Sequence, residues 1–369
     1  MPRAPIRKRH PTTKPQRGTN DPPTAGRFVS PQFCLRIVHA LLLCKYMSNK
    51  RIVVMGGGTG TFTVLSGLKR HNIDLSAIVS VADNGGSTGI LRDELGVLPP
   101  GDIRQCLVAL SAGDDTLRRL FTYRFHEGSL SGQNFGNLFL SALEKVCGNS
   151  LVAIQEAHRI LNVRGRVIPV APIASNLFAE LEDGSVLEGE HAIDVMKTPL
   201  SEIRRCFLSP AVQANGEAVQ AIMQADVVVI GPGDLFTSLV PVLLVDGIAQ
   251  ALAMTRAKKL YVLNLVAPKD QAEQFSALSH CDAISTAMSP AKIDTVIVNS
   301  ATPDVELLKK YEIGGDTLMK DDLEGTSYAS VRASLLAGSV SDRISGDPLQ
   351  RSLLRHDPEA LAEAIIGLL

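Results

Sequence analysis

Three glycine-rich polar loops hold the residues whose types and spacing could do chemistry. The first is Gly56-Gly57-Gly58-Thr59-Gly60, directly after the apolar run Ile52–Met55. The second, Asp83-Asn84-Gly85-Gly86-Ser87, follows Ala77–Ala82. The third, Gly231-Pro232-Gly233-Asp234 with Thr237 and Ser238, follows Val227–Ile230. Glycine lets a main chain approach an anion closely, and amide N–H groups at a helix start point at it. The chemistry that suits such loops is the cradling of phosphate, which makes a nucleotide-like ligand the leading expectation. Taken singly, each loop reads equally as a turn, because Gly, Asn and Asp are ordinary turn residues. Three of them at strand ends favour the ligand.

Smaller groups add to this. Gly101-Asp102-Ile103-Arg104 puts a carboxylate and a guanidinium at a helix start. Asp102 there is an N-cap on one reading. On the other, Arg104 reaches a phosphate with its planar fork. Asn134 and Asn137 bracket Phe135-Gly136 and offer both donor and acceptor to a sugar or base edge, or else cap a helix. Arg355-His356-Asp357 is a polar triplet before the last apolar-periodic segment. The first loop is no P-loop, since no Gly-Lys-Ser/Thr follows, and Thr61 stands where a dinucleotide fingerprint wants its third glycine. Asp83 nonetheless ends the second strand, where an acidic residue would hold an adenosine ribose. An NAD-binding oxidoreductase domain is therefore an alternative.

The elements that must position these loops alternate as strand, loop and helix from Met47 to about Ala112, and again from Ala218 onward. Such alternation predicts an α/β fold, a Rossmann-like parallel sheet flanked by helices. Between them, about 115–215, the pattern predicts a mostly helical insertion containing a β-hairpin at Glu182-Asp183-Gly184. In an open α/β sheet, ligands bind outside the carboxyl ends of the strands, which is where all three loops fall.

Composition bounds the rest. The chain has 369 residues, 45% apolar and 20% charged, with net charge −1. No global field draws nucleic acid or membrane. With no Trp and 4% aromatics, stacking platforms for single strands are scarce. Six cysteines without a CxxC pair read as reduced thiols in a cytosolic protein. The first fifty residues carry ten Lys/Arg against one acid. Residues 1–46 are expected to be a disordered basic extension, with Met47 an alternative start. The apolar stretch Ile37–Cys44 is too short to span a bilayer.

The motifs Met55–Gly60, Ser80–Gly89, Pro99–Arg104, Gly132–Asn137, Glu180–Gly184, Gly231–Ser238 and Arg355–Asp357 together resemble the YvcK, or gluconeogenesis factor, family. That family lies within the CofD-like 2-phospho-L-lactate transferase superfamily. The resemblance runs collinearly from about Lys50 to Leu369, so the domain is expected to span 47–369. It implies a cytoplasmic, Rossmann-like regulatory protein that binds UDP-sugars such as UDP-N-acetylglucosamine or UDP-glucose. It also implies a role in cell shape and cell-wall supply under gluconeogenic growth, with a protein partner in that regulation. A homo-oligomer is the expected assembly, and no catalysed reaction is implied for the group. Under this reading Gly56–Gly60 and Gly85–Ser87 cradle the diphosphate, and Asp83 and Asn84 meet ribose or base. Arg104 and Arg355 neutralise phosphate, while Asn134, Asn137, Thr237 and Ser238 bond sugar hydroxyls beside Gly231, Gly233 and Asp234.

The alternative from the enzymatic cousins is a phospholactyl or phosphoryl-group transferase, with Mg2+ held by Asp83, Asp102 or Asp234. The chain departs from the family pattern at Asp234 (usually Ser), at Val242 (usually Asn) and in Leu265–Gln271, where a Met-Thr-Gln-x-Gly-Glu-Thr run is usual. A chain beginning at Met47 should keep the thermal midpoint and ligand affinity of the full chain. A large fall in either would show that the extension packs on the domain.

Overall fold

The computed structural model describes residues 50–113, 115–190, 192–193, 203–268, 275–305, 308, 316–338 and 354–369. The extension expected at 1–46 and part of the altered run, 269–271, lie outside the described residues.

In chain order the strands are β1 (Arg51–Gly56), β2 (Asp74–Val79), β3 (Arg166–Pro169), β4 (Asn176–Leu181), β5 (Val186–Glu188) and β6 (Ile203–Ser209). They continue with β7 (Val227–Ile230), β8 (Lys258–Val262), β9 (Val266–Pro268), β10 (Thr295–Asn299), β11 (Asp316–Leu318) and β12 (Ser330–Ala333). The main sheet has seven strands in the order β12-β10-β8-β7-β1-β2-β3, and every neighbouring pair runs parallel. A parallel sheet covered on both faces needs strands that are apolar on both faces. Ile52-Val53-Val54-Met55 and Val227-Val228-Val229-Ile230 satisfy this, and all eight side chains are at most 2% exposed. The expected α/β, Rossmann-like architecture is present.

The helices around this sheet are α1 (Gly58–Leu68), α2 (Gly86–Leu95), α3 (Pro100–Leu110), α4 (Asp115–Thr122), α5 (Phe135–Cys147) and α6 (Ser150–Ile160). After them come α7 (Gly216–Gln224), α8 (Val240–Leu243), α9 (Ile248–Met254), α10 (Ala277–Ala287) and α11 (Pro358–Ile366). Among the described residues no helix is long and apolar enough to cross a membrane.

The stretch expected as an insertion is divided. Its helices α4 to α6 precede β3, which joins the edge of the main sheet beside β2. Val167, Ile168 and Pro169 are buried there, so a short apolar run became a core strand rather than part of a separate body. The rest forms a three-stranded antiparallel sheet, β5-β4-β6. Strand β4 alternates buried and half-buried residues, the pattern of a sheet with one solvated face. The hairpin turn lies where expected, with Gly184 at φ +83° and the Asp183 carboxylate accepting from the Ser185 amide at 2.8 Å.

Helix α11 brings the end of the described chain back onto α1. Asp357 caps it, its Oδ1 accepting from the Ala360 amide at 2.8 Å, and Pro358 occupies the first turn, where a missing N–H costs nothing. Gly67 on α1 has no side chain at the point where the Pro358 carbonyl approaches, and a β-carbon there would overlap it. Helix propensity alone would make Gly67→Ala stabilising by about 1 kcal/mol. The overlap should reverse the sign and cost about 1–3 kcal/mol, read as a lower thermal midpoint. A raised midpoint would refute this packing.

Candidate functional site

The strand order reverses between β1 and β7: β2 and β3 lie to one side of that pair, and β8, β10 and β12 to the other. The crevice outside the carboxyl ends at such a switch point is the favoured ligand position in open α/β sheets. A cleft of about 180 Å³ lies there. Its glycine-rich side is Gly57, Gly58, Thr59, Gly60 and Thr63 from the end of β1 and the start of α1, with Pro232, Gly233, Asp234 and Ser238 from the end of β7. The rest of its lining is Asn264, Leu265 and Val266 after β8, with Leu354, Arg355 and His356 before α11.

Close approach explains the glycines. A β-carbon on Gly57 would overlap the Asp102 carboxylate, and one on Gly60 the Pro232 carbonyl. Gly58 has φ +65°, a left-handed conformation that suits glycine. Asn264 fixes the third loop: its Oδ1 accepts from the Gly233 amide and its Nδ2 donates to the Gly233 carbonyl, both at 3.0 Å. Beyond that loop, Leu235–Leu239 is a turn of π-helix, a form frequent at functional sites. The Asp234 carbonyl accepts from the amides of both Ser238 and Leu239.

Asp102 does not cap its own helix α3. It caps α1 instead, with Oδ1 accepting from the Gly58 amide at 2.7 Å. Burial pushes its carboxyl up to about 7, helped by the charges of Asp83 and Asp234 and opposed by the Gly58 amide and Arg104. Burial likewise raises Asp83, against the Gly85 amide, the Thr88 hydroxyl and the guanidinium groups of Arg104 and Arg92. Arg104 is 7% exposed and sits against these carboxylates, not on the cleft lining. Among the described residues no three His, Cys, Asp or Glu side chains gather as a metal-holding group.

The second loop has its own supports. The Asp83 Oδ1 accepts from the Gly85 amide at 2.8 Å. The Ser87 hydroxyl donates to Gln133 Oε1 at 2.8 Å and accepts from the Asn134 amide and Asn137 Nδ2. Asn134 caps α5, its Oδ1 accepting from the Asn137 amide at 3.2 Å, and its Nδ2 donates to the Tyr123 carbonyl. Both asparagines are 2% exposed, and these bonds make them braces of the loop. Asn84 packs against Gly189, after β5.

Of the residues expected in the site, the cleft therefore gathers Gly57, Gly58, Thr59, Gly60, Gly233, Asp234, Ser238 and Arg355. Gly56 and Gly231 lie at the strand ends below it. Thr237 is buried, and its hydroxyl oxygen has no hydrogen-bond partner among the described residues. Asp83 to Ser87, Arg104, Asn134 and Asn137 form the layer beside it, joined through Asp102. Sequence reasoning left out Thr63, Asn264 and Leu354, whereas His356 stood in the polar triplet and Leu265 and Val266 in the run that departs from the family pattern. Leu354 carried no signal. Val242, where the family usually has Asn, is 1% exposed in the core and lies off the cleft.

Residues 52–336 match the model of the family described as 2-phospho-L-lactate transferase CofD. A gluconeogenesis factor of Bacillus subtilis (strain 168) is 37% identical over 321 residues, which is 86% of this chain and 98% of the relative. The chain belongs to the gluconeogenesis factor group of the CofD family. A second gluconeogenesis factor, from Halalkalibacterium halodurans, is 37% identical over 323 residues, covering 87% of this chain and 97% of the relative. The crystal structure of an upf0052 family member from Bacillus halodurans superposes with a TM-score of 0.78 at 35% identity, over 86% of this chain and 99% of that one. In this CofD-family chain, Asp102 carries the electrostatic strain of the site.

A carboxyl raised by folding is more protonated in the native than in the unfolded chain. Its contribution to stability is therefore present at low pH and is lost as pH rises from the ordinary carboxyl value through about 7. Buried neutral His356 and His280, both lowered to about 4, act oppositely as pH falls through the ordinary histidine range. The difference between Asp102→Asn and wild type cancels the histidines. Asp102→Asn should gain stability relative to wild type between pH 5 and pH 8, measured by chemical denaturation. A difference that does not change with pH would place the Asp102 carboxyl in its ordinary range.

Proposed function

We propose that this chain binds a nucleotide sugar of the UDP-N-acetylglucosamine or UDP-glucose type and acts as a regulator. Its role is in cell shape and cell-wall supply during growth on gluconeogenic carbon, in the cytoplasm, as a homo-oligomer with a protein partner. One observation carries the reading: the glycine-rich ends of β1 and β7 and Arg355 line one cleft at the sheet's switch point. Backbone amides with an adjacent Arg suit a diphosphate, because the amides bring partial positive charge and the fork matches anionic oxygens. The name gluconeogenesis factor, borne by relatives that align over nearly their whole length, supports the biological setting.

In this reading the diphosphate lies against the amides of Thr59 and Gly60, since the Gly58 amide is held by Asp102. Arg355 balances its charge from the opposite wall, and Ser238 and the Thr59 hydroxyl face the sugar. The second loop, Asp83 to Ser87, borders the ribose or base. A ligand that draws the two walls together alters the surface formed by α11 and the segment before it, which a partner could read.

UDP-N-acetylglucosamine, UDP-glucose, NAD and GDP should be compared by thermal shift. A UDP-sugar at about 100 times its dissociation constant should add roughly 2.7 kcal/mol of stability. Stabilisation by NAD alone would transfer the reading to a dehydrogenase-like domain. Arg355→Ala should keep the fold and lose about 1.5–3 kcal/mol of binding, the contribution of a hydrogen bond to a charged group, or roughly ten- to hundredfold in affinity. Unchanged affinity in calorimetry would remove Arg355 from the site.

A further inference from the structure

We infer that a cavity beside the run that follows β3 is a second binding site. It takes a small zwitterion of the α-amino acid type, with the carboxylate at Arg92 and Asn176 and the ammonium at Glu144.

The cavity is about 390 Å³, against about 180 Å³ for the cleft, and shares no lining residue with it. Small-molecule sites run from roughly 300 to 1,000 Å³. Its lining comes from the end of α2, from Glu144 on α5, from Pro172 to Asn176 between β3 and β4, and from Pro210 after β6.

Two opposite charges stand on this lining without meeting. Arg92 pairs with Asp93, its Nε donating to Oδ1 at 2.8 Å, and not with Glu144. Its Nη1 donates to Asn176 Oδ1 at 2.8 Å. Arg92, Asp93 and Asn176 all line the cavity, so these bonds hold the guanidinium beside the Asn176 amide on its wall. Asp93 takes only the Nε edge, and a guanidinium has other N–H groups to offer. Arg92 Nη2 and Asn176 Nδ2 have no hydrogen-bond partner among the described residues, and neither is shut off from solvent. Two neighbouring N–H donors, one of them charged, suit the two oxygens of a carboxylate.

Glu144 is the other pole. Both its oxygens accept from the Leu98 amide, at 3.3 and 3.1 Å. A main-chain amide has one hydrogen, so the two oxygens share a single donor. Burial raises this carboxyl, against the Leu98 amide and the charge of Lys145. An ammonium brings both a positive charge and three N–H groups, and so supplies what the carboxylate lacks. Val97, Leu98, Ile173 and Pro210 give apolar surface for the ligand's carbon atoms. A simple anion or cation would satisfy one pole and leave the other, whereas a zwitterion satisfies both.

The standard amino acids, each in millimolar excess, should be screened against the full chain by thermal shift. At least one should raise the midpoint, and calorimetry then gives its affinity. Its carboxamide lacks the carboxylate and its N-acetyl derivative lacks the ammonium, and each should bind about tenfold more weakly. Glu144→Gln keeps an acceptor for the Leu98 amide, and Asn176→Asp keeps one for Arg92. Each variant should lose about tenfold in affinity for the amino acid. In 15N spectra the amino acid should shift the Asn176 side-chain amide, assigned by its loss in Asn176→Asp, and saturating UDP should leave that shift in place. Absence of any stabilising amino acid, equal binding of the blocked derivatives, full affinity in either variant, an unmoved Asn176 amide or displacement by UDP would each overturn the inference. Should a variant not fold, the blocked derivatives and the competition with UDP decide. The cleft contains none of these residues, so the nucleotide-sugar reading stands or falls separately.

Discussion

One hydrogen bond organises the ligand edge: the Asp102 carboxylate on the Gly58 amide. It joins the start of α3 to the start of α1, and it requires Gly57 to lack a side chain. The same carboxylate feels the charges of Asp83 and Asp234, so the second and third loops act electrostatically on the group that holds the first. Arg104, behind it, offsets part of the accumulated negative charge. A helix N-terminus favours an anion, and here the protein supplies its own. Any further anion must settle on the amides that remain.

The opposite wall obeys a different constraint. It is built from the run after β8 and from Leu354 to His356, which are far apart in sequence and meet through the cluster of Leu265 and Leu354 with Val266, Leu318 and Leu336. Its position follows from the docking of α11 on α1, made close by Gly67. The lining is thus glycine-rich and polar at the ends of β1 and β7, and mixed where Asn264, Arg355 and His356 stand beside Leu265, Val266 and Leu354.

Much of the fold was legible because the physics is local. Continuous runs such as Ile52–Met55 and Val227–Ile230 can only be strands buried on both sides, and glycine-rich loops after them mark the ligand edge. The pairing of β3 with β2 was not legible, because the two strands lie far apart in sequence. The site was legible where a single residue type implies a backbone demand, as at Gly57 and Gly60. It was not legible where role depends on three-dimensional neighbours. Asn134 and Asn137 have the right chemistry for sugars, and only the fold shows Asn134 capping α5 and Asn137 Nδ2 donating to Ser87. Asp102 looked like a cap for α3, and only the fold revealed that it caps α1. Leu265 and Leu354 are ordinary apolar residues until the chain brings them together.

The origin of the second wall also bears on how the protein is made. The central strands and all three polar loops lie before residue 240, whereas Leu354–His356 and α11 are synthesised after the last strand of the sheet. The third loop waits for Asn264, which holds Gly233 through two hydrogen bonds, and the cleft lining waits longer still, for Leu354, Arg355 and His356. A product terminated after β12 would contain every strand of the sheet and none of those three residues or α11.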